Sequence, residues 1–273
     1  MSKMLMDSLV RQKSILESEG YSVAYICIYG SQNYGLDLNT EEYQSDIDMK
    51  AIIIPTLDDL VADSKPVSIV VDTEWGQCDV KDIRLHFQTL LKGNPAYIET
   101  LFTDYYVVDN KFQREFDTII SLRNDLVSAL SAQFVRAIYG MMCEKQKALC
   151  HPYPSIAHKI EKHGYDGKQA HHILRLWFVM TDYILNGKRL EECLRLTDEG
   201  RIEALMQYKL NRPSLEVASQ MVDHTMGLAK NLRDSFLEKA DESKMEDSVS
   251  NTFLKLSQDI IKHKIIEEVK GAR

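Results

Sequence analysis

Two aspartates in one short segment have the residue type and the spacing that metal-assisted chemistry needs. Asp46 and Asp48 alternate with the apolar residues Ile47 and Met49. Because successive side chains of a β-strand point to opposite faces, the two carboxylates are predicted to share one face, with their Cα atoms about 7 Å apart. Two carboxylates at that spacing can reach one divalent cation or two neighbouring cations. Without a cation their like charges repel each other, and one carboxylate would tend to keep its proton.

A glycine–serine pair lies upstream of the aspartates. Gly30-Ser31 follows the apolar run 23–29, which predicts a buried strand. A glycine lets the backbone approach a ligand closely, and the N–H groups of such a turn can hold a phosphate. Taken alone, Asp46 and Asp48 could lie solvated on an exposed edge strand, and a Gly-Ser pair is common in ordinary turns. The combination of the two segments favours a site for a phosphate and a metal.

A third carboxylate would complete the set, and Asp79 is the main candidate. It lies on a short predicted strand that leads into a helix at Ile83. Asp82 is the competitor, but its position directly before the helix suits an N-cap better. Asp72 and Glu74 are further options, in what is predicted to be a turn.

The elements around these residues predict an α+β fold, in which a small mixed β-sheet domain is followed by an all-helical domain. Apolar and β-branched runs predict strands at 23–29, 46–54 and 67–71. The second half shows helical spacing throughout. We place the β-sheet domain at 1–125, the helical domain at 126–240 and a C-terminal helical tail at 241–273. The tail could pack on the body of the chain or on another subunit, and the oligomeric state stays open.

Composition narrows the class of protein. The 273 residues carry a formal net charge of −8, which disfavours a nucleic-acid-coating protein but leaves room for a local basic cleft. No apolar run approaches the roughly 18 residues that a membrane span needs, and the charged N-terminus does not resemble a signal peptide. We therefore expect a cytoplasmic protein with no membrane partner. Five cysteines without a CxxC pair argue against a structural zinc site or a disulfide framework.

Four motifs resemble the nucleotidyltransferases of the DNA polymerase beta superfamily, in the branch of predicted nucleotidyltransferases from bacteria and phages. They are GSQNYG at 30–35, SDIDMK at 45–50, LLKGNPAYIE at 90–99 and GYDGKQAHHILR at 164–175. The resemblance covers roughly residues 22–210. Two departures are the fourteen-residue gap between Ser31 and Asp46, slightly longer than usual, and Gly167, where that branch usually has a threonine. Neither departure removes a carboxylate.

The resemblance implies a metal-dependent nucleotidyl transfer of the EC 2.7.7 class. Asp46 and Asp48 would bind two Mg²⁺ (or Mn²⁺) ions, one of which carries the triphosphate of an NTP such as ATP. The other ion, shared with Asp79, would lower the pKa of an acceptor hydroxyl, which attacks the α-phosphorus as pyrophosphate leaves. Gly30 and Ser31 would grip the β- and γ-phosphates. The acceptor is open and could be a small molecule, a protein or an RNA.

A helix predicted at 166–186 carries Lys168, His171 and Arg175 at helical spacing along one stripe. One interpretation is a solvated helix face. The other is a nucleotide-binding set, in which cations from the helical domain reach the triphosphate in a cleft between the domains. We predict the nucleotide-binding role for these three residues.

Two rival functions stay open at this stage. One is a catalytically silent, nucleotide-binding regulatory protein of the same fold, which the three carboxylates argue against. The other is a nucleotidyltransferase directed at tRNA or another RNA, which the acidic balance disfavours.

Overall fold

The computed structural model describes residues 2–41, 43–240 and 247–271. The chain divides into two compact units. The first unit is Met1–Leu130 together with Lys244–Arg273, and the second unit is Ser131–Ser243. The first unit combines a β-sheet with helices and the second unit is helical, which confirms the predicted α+β class.

The first unit is built on a five-stranded mixed sheet. Its strands are β1 (Ser22–Tyr29), β2 (Asp48–Ile54), β3 (Ser68–Asp72), β4 (Gln77–Asp82) and β5 (Tyr106–Val108). Their order across the sheet is β3-β4-β2-β1-β5. The β2–β4 pair is parallel, and the other three pairs are antiparallel. β2 carries Asp48 and β4 carries Asp79, so the sheet places these two predicted carboxylates on neighbouring strands.

Helices of the first unit surround this sheet. They are α1 (Ser2–Ser18), α2 (Ser31–Tyr34), α3 (Leu57–Val61), α4 (Ile83–Leu90), α5 (Pro95–Ile98), α6 (Gln113–Ser121) and α7 (Arg123–Ala129). Leu5 and Leu9 of α1 form a buried apolar cluster with Ile28, Met49 and Val80 of the sheet. Because side chains alternate along strands, the sequence neighbours of Ile28, Met49 and Val80 point to the opposite face of the sheet.

Two local predictions can be compared directly with the strands and helices. The second strand begins at Asp48, so the predicted start at Asp46 was two residues early, and Asp46 lies in the connection before β2. Asp82 is the N-cap of α4, because its carboxylate accepts a hydrogen bond from the Arg84 backbone N–H at 2.8 Å. This confirms the structural role predicted for Asp82.

The C-terminal helix α14 (Asp247–Gly271) packs on the first unit, against α4, α6, α7 and β2. Phe253 and Ile260 are fully buried there. At the surface, Lys111 forms an ion pair with Glu267 at 2.8 Å. Of the two alternatives left open for the tail, the described part of it takes the first, packing on its own chain.

The second unit consists of helices arranged around α10. They are α8 (Ser131–Ala148), α9 (Ala157–His163), α10 (Gly167–Ile184), α11 (Leu190–Leu194), α12 (Glu199–Lys209) and α13 (Leu215–Lys239). The helix α10 contacts α8, α11, α12 and α13. Across the described residues, no helix by itself has both the length and the apolar character to cross a membrane. The bent pair Arg123–Ala129 and Ser131–Ala148 meets that criterion only when its two helices are counted together.

The start of α10 explains one departure from the resembling motif. Asp166 is the N-cap, and its carboxylate accepts the backbone N–H of Lys168 at 3.1 Å. A Cβ added at Gly167 would collide with the carbonyl oxygen of Tyr208 and lie 2.8 Å from Asn211 Oδ1. The close approach of the last turn of α12 therefore leaves no room for a threonine at this position.

Candidate active site

The glycine–serine segment turns the chain directly beside an aspartate. Gly30 follows β1 with φ 79° and ψ −149°, and α2 begins at Ser31. This positive φ strains any residue with a Cβ, which accounts for the glycine. The position of a Cβ at Gly30 would be 3.7 Å from Asp48 Oδ2. The structure therefore brings the predicted phosphate-binding turn and one predicted metal ligand together.

Asp46 lies on a connection that is fixed to the turn before β4. The backbone N–H of Ile47 donates to the carbonyl oxygen of Trp75 at 2.8 Å. A Cβ at Gly76 would come within 2.7 Å of Ile47 O and 3.1 Å of Asp46 Cβ. Asp46 itself is exposed. The hydrogen bond to Trp75 and the close approach of Gly76 hold the backbone at Asp46 next to the start of β4.

Asp79 lies on the same face of the sheet as Asp48, but it is already engaged. In the parallel β2–β4 pair, Lys50 is the register partner of Asp79, and Lys50 shares a strand face with Asp48. The Lys50 Nζ atom donates to Asp79 Oδ2 at 2.7 Å. A second ammonium, Lys81 Nζ, lies 3.6 Å from the same oxygen. Asp79 therefore has two lysines as counterions.

Aromatic rings enclose these lysines. The Lys50 Nζ atom lies 4.2 Å from the ring centroid of Tyr29 and 4.7 Å from that of Tyr97. Lys81 donates a hydrogen bond to the Tyr97 hydroxyl. Burial raises the pKa of Tyr29, and the nearby carboxylates of Asp48 and Asp79 raise it further. Tyr29 consequently stays protonated at neutral pH and can serve as a hydrogen-bond donor.

A neutral histidine lies behind the aromatic layer. His86 is 2% exposed and its ring meets that of Tyr97 edge-on, with the centroids 5.0 Å apart. Burial lowers the pKa of His86 to about 3, and the charge of Lys50 contributes to the shift. Within the described part of the chain, its Nε2 atom has no hydrogen-bond partner. His86 therefore adds no charge to the site and packs as an uncharged ring.

A cleft of about 270 Å³ opens beside Asp79, at the β3 edge of the sheet. Its lining combines polar groups with apolar ones: Tyr29, Ser68, Ile69, Val70, Gln77, Asp79 and Lys81. Val70 is the register partner of Asp79 and is 60% exposed. The cleft thus offers an ammonium, a carboxylate, hydroxyl groups and an apolar wall to a bound molecule.

The other acidic candidates have structural partners. Asp72 ends β3 and accepts a hydrogen bond from the Gln77 side chain at 3.2 Å. Glu74, in the turn before β4, forms an ion pair with Arg11 at 2.5 Å. Asp79 is the acidic candidate that lines the cleft.

Carboxylate oxygens are the ligands that Mg²⁺ and Mn²⁺ prefer, so the side chains of Asp46, Asp48 and Asp79 are chemically suited to bind such a cation. Among residues 2–41, 43–240 and 247–271, however, no group of three or more His, Cys, Asp or Glu side chains is arranged to hold a metal ion. The Lys50–Asp79 ion pair is one physical reason, because Asp79 Oδ2 points at an ammonium. A metal that binds through Oδ2 of Asp79 has to displace the Lys50 ammonium from that oxygen.

The stripe predicted on α10 divides into one exposed and two buried residues. Lys168 is exposed, whereas His171 and Arg175 are only 4% and 7% exposed. The Nδ1 atom of His171 hydrogen-bonds the carbonyl oxygen of Leu205 at 3.1 Å. Burial lowers the pKa of His171 to about 4 despite that hydrogen bond. Burial of two of the three residues argues against a solvated face, and the nucleotide-binding role stays a prediction.

Sequence reasoning missed Lys50, Tyr97 and His86. Lys50 carried a signal, because it follows Asp48 by two residues and strand alternation puts both on one face. Tyr97 lies within the 90–99 motif but had no role assigned to it. For His86 the signal was absent, since a single histidine on a helix has no pattern of its own.

Comparison with known proteins adds the following findings. The model of a family described as "RNA repair pathway DNA polymerase beta family" matches residues 4–254. No curated protein matches the chain. A solved nucleotidyltransferase-like protein from Exiguobacterium sibiricum aligns with 94% of this chain and 89% of its own, at 11% identity and a TM-score of 0.34. At that level of similarity, nothing about the site follows from the structural match.

Proposed function

We propose, from the premise that this chain belongs to the RNA repair pathway DNA polymerase beta family, that it transfers a nucleoside monophosphate from an NTP to a hydroxyl group of an RNA. The observation that carries the proposal is the pairing of β2 with β4. It puts Asp48 and Asp79 on one face of neighbouring strands, with Gly30 beside the first and a cleft beside the second.

Each part of the site has a role in this proposal. The backbone at Gly30 and Ser31 binds the β- and γ-phosphates. Asp46, Asp48 and Asp79 would hold Mg²⁺ or Mn²⁺. When bound, such ions neutralise phosphate charge and lower the pKa of a hydroxyl group. The acceptor oxygen forms a bond to the α-phosphorus, the bond from that phosphorus to the leaving oxygen breaks, and pyrophosphate departs.

The cleft beside Asp79 is our candidate position for the acceptor. Lys81 can contact an acceptor phosphate there, while the exposed Val70 provides an apolar surface for a sugar or base. The choice of RNA as the acceptor is supported by the description of the family. The overall net charge of −8 limits binding to local contacts of this kind, because a broad basic surface is what gives strong non-specific affinity.

The test is a transfer assay with each of the four NTPs labelled at the α-phosphorus, in Mg²⁺ or Mn²⁺. One acceptor is a short RNA with a free 3′-hydroxyl, and its control is the same RNA with that hydroxyl removed. We expect label on the first RNA only. The variants Asp48→Asn and Asp79→Asn should lose transfer, whereas Asp58→Asn, an exposed carboxylate on α3, should retain it.

The outcomes separate the alternatives. Label on neither RNA, together with NTP binding by calorimetry, would favour the catalytically silent regulatory protein. Label on both RNAs would show that the 3′-hydroxyl is not the acceptor. Transfer that survives in Asp48→Asn would refute the assignment of the carboxylates.

A further inference from the structure

The ion pair between Lys50 and Asp79 joins a buried cation to a carboxylate that faces the cleft. The two side chains are 7% and 17% exposed, and their Nζ and Oδ2 atoms are 2.7 Å apart. Asp79 lines the cleft, so ions from solvent can approach its carboxylate from that side. Lys50 is the more deeply buried partner. The carboxylate therefore lies between a fixed internal cation and the place where an external cation would arrive.

The surroundings of Lys50 can hold the ammonium group without its carboxylate. The ring centroids of Tyr29 and Tyr97 lie 4.2 Å and 4.7 Å from Nζ. Aromatic faces attract cations through their negative π surface, most strongly where water is excluded. If Asp79 turns towards the cleft, Lys50 keeps two favourable partners and does not have to leave the sheet.

We infer that the Lys50 ammonium takes the place of a metal ion at the Asp79 carboxylate, and that a divalent cation which binds from the cleft displaces it. This positioning role rests on the proposed function. It follows from the β1–β2 register, which sets Tyr29 opposite Asp48, and from the β2–β4 register, which sets Lys50 opposite Asp79. Lys50 thereby supplies a positive charge to Asp79 when no metal is bound.

A consequence is that metal binding depends on the nucleotide. A lone divalent cation must compete with Lys50 for Asp79, and an ammonium within hydrogen-bond distance is a strong competitor. A cation that arrives with a triphosphate brings additional negative ligands, so it competes better. Lys50 thus keeps the carboxylates from holding a metal tightly before the NTP is present.

The test measures Mn²⁺ binding without nucleotide, by electron paramagnetic resonance of the free ion. Wild type is compared with Lys50→Met and with the matched control Lys81→Met, which removes the more distant ammonium and leaves the Lys50–Asp79 pair in place. We expect Lys50→Met to bind Mn²⁺ at least about tenfold more tightly than wild type. Lys81→Met should change the affinity less. Addition of Asp79→Asn to Lys50→Met should abolish the gain.

A merely structural role for Lys50 predicts the opposite direction, since a disturbed site binds metal more weakly. Unchanged or weaker Mn²⁺ binding by Lys50→Met, with measurable binding by wild type, would overturn this inference and leave the proposed function standing. Mn²⁺ binding by neither protein would overturn the inference, and the transfer assay in Mn²⁺ would still test the metal part of the proposed function separately. If Lys50→Met does not fold, Lys50→Gln gives the same comparison, because an amide keeps a donor for Asp79 without the charge.

Discussion

Replacing Asp79 by asparagine should destabilise the protein even when no metal is present. The change leaves the ammonium of Lys50 buried without its counterion. Removal of one partner of a buried ion pair costs about 3–5 kcal/mol. Two features of the site reduce that cost: the amide oxygen can still accept a hydrogen bond, and two tyrosine rings contact Nζ, each contributing about 1 kcal/mol. We therefore expect the free energy of unfolding to fall by about 1–3 kcal/mol.

The matched control is Asp46→Asn. Asp46 belongs to the same predicted ligand set but is exposed, and exposed substitutions of this kind change stability by about 0.5 kcal/mol or less. Both variants should lose nucleotidyl transfer. Only Asp79→Asn should lose stability, so the two effects can be separated within one site.

The assay is urea unfolding in the presence of a chelator, followed by tryptophan fluorescence. The chain has two tryptophans, Trp75 in the first unit and Trp177 in the second. In a Trp177→Phe background, Trp75 reports on the unit that contains the sheet. If Asp79→Asn is as stable as Asp46→Asn in this background, Asp79 does not act as the counterion of Lys50.

Three further predictions concern the second unit. Burial raises the pKa of Asp182, but hydrogen bonds from Lys188, Asn186 and Arg201 have the larger effect and hold that pKa below its ordinary value. The ionised Asp182 therefore stabilises the fold at every pH above its ordinary pKa. This stabilisation is lost as the pH falls through the lowered pKa of the folded protein. Asp182→Asn should cost about 2–4 kcal/mol in neutral urea unfolding and flatten the acid limb of the stability profile; an unchanged limb would contradict this. Gly167→Ala should lower the melting temperature, because its Cβ has no room, and the matched Gly140→Ala, with open space around its Cβ, should not. Lys168→Ala should weaken NTP binding by about 1–3 kcal/mol in calorimetric titration, and an unchanged affinity would remove Lys168 from the nucleotide-binding set.

Much of the fold follows from local sequence signals. The apolar run before Gly30 and the run 46–54 predict two strands, and Asp82 before an apolar helix predicts an N-cap. The structure confirms both strands and the N-cap, but the second strand begins at Asp48 and not at Asp46. Such signals depend on neighbours within a few residues, so they can be read along the chain. The error at Asp46 is of the same local kind, since alternation alone does not show where the ladder of hydrogen bonds begins.

Local sequence patterns do not show which strands pair with each other. The sequence places Asp79 on a strand but does not show that this strand runs parallel to β2, nor that Asp79 is opposite Lys50. Register between distant strands is set by the whole buried face and by the connection between them. For that reason the carboxylates could be named from the sequence, while their counterions could not.

The same pairing that brings the carboxylates together also supplies the charge that restrains them. In the register of the parallel β2–β4 pair, residue 50 lies opposite residue 79. Because side chains alternate along a strand, residues 48 and 50 share the face on which residue 79 lies. The side chain at position 50 therefore affects the charge of the site. An apolar side chain there would leave Asp79 with only the more distant ammonium of Lys81, 3.6 Å from Oδ2. The lysine pairs with Asp79 before a ligand arrives, and the tyrosine rings beside it make its release feasible. The ion pair is thus compatible with an active nucleotidyltransferase, because Lys50, the nearer counterion, is the more deeply buried partner, and the cleft side of Asp79 carries only the more distant ammonium of Lys81.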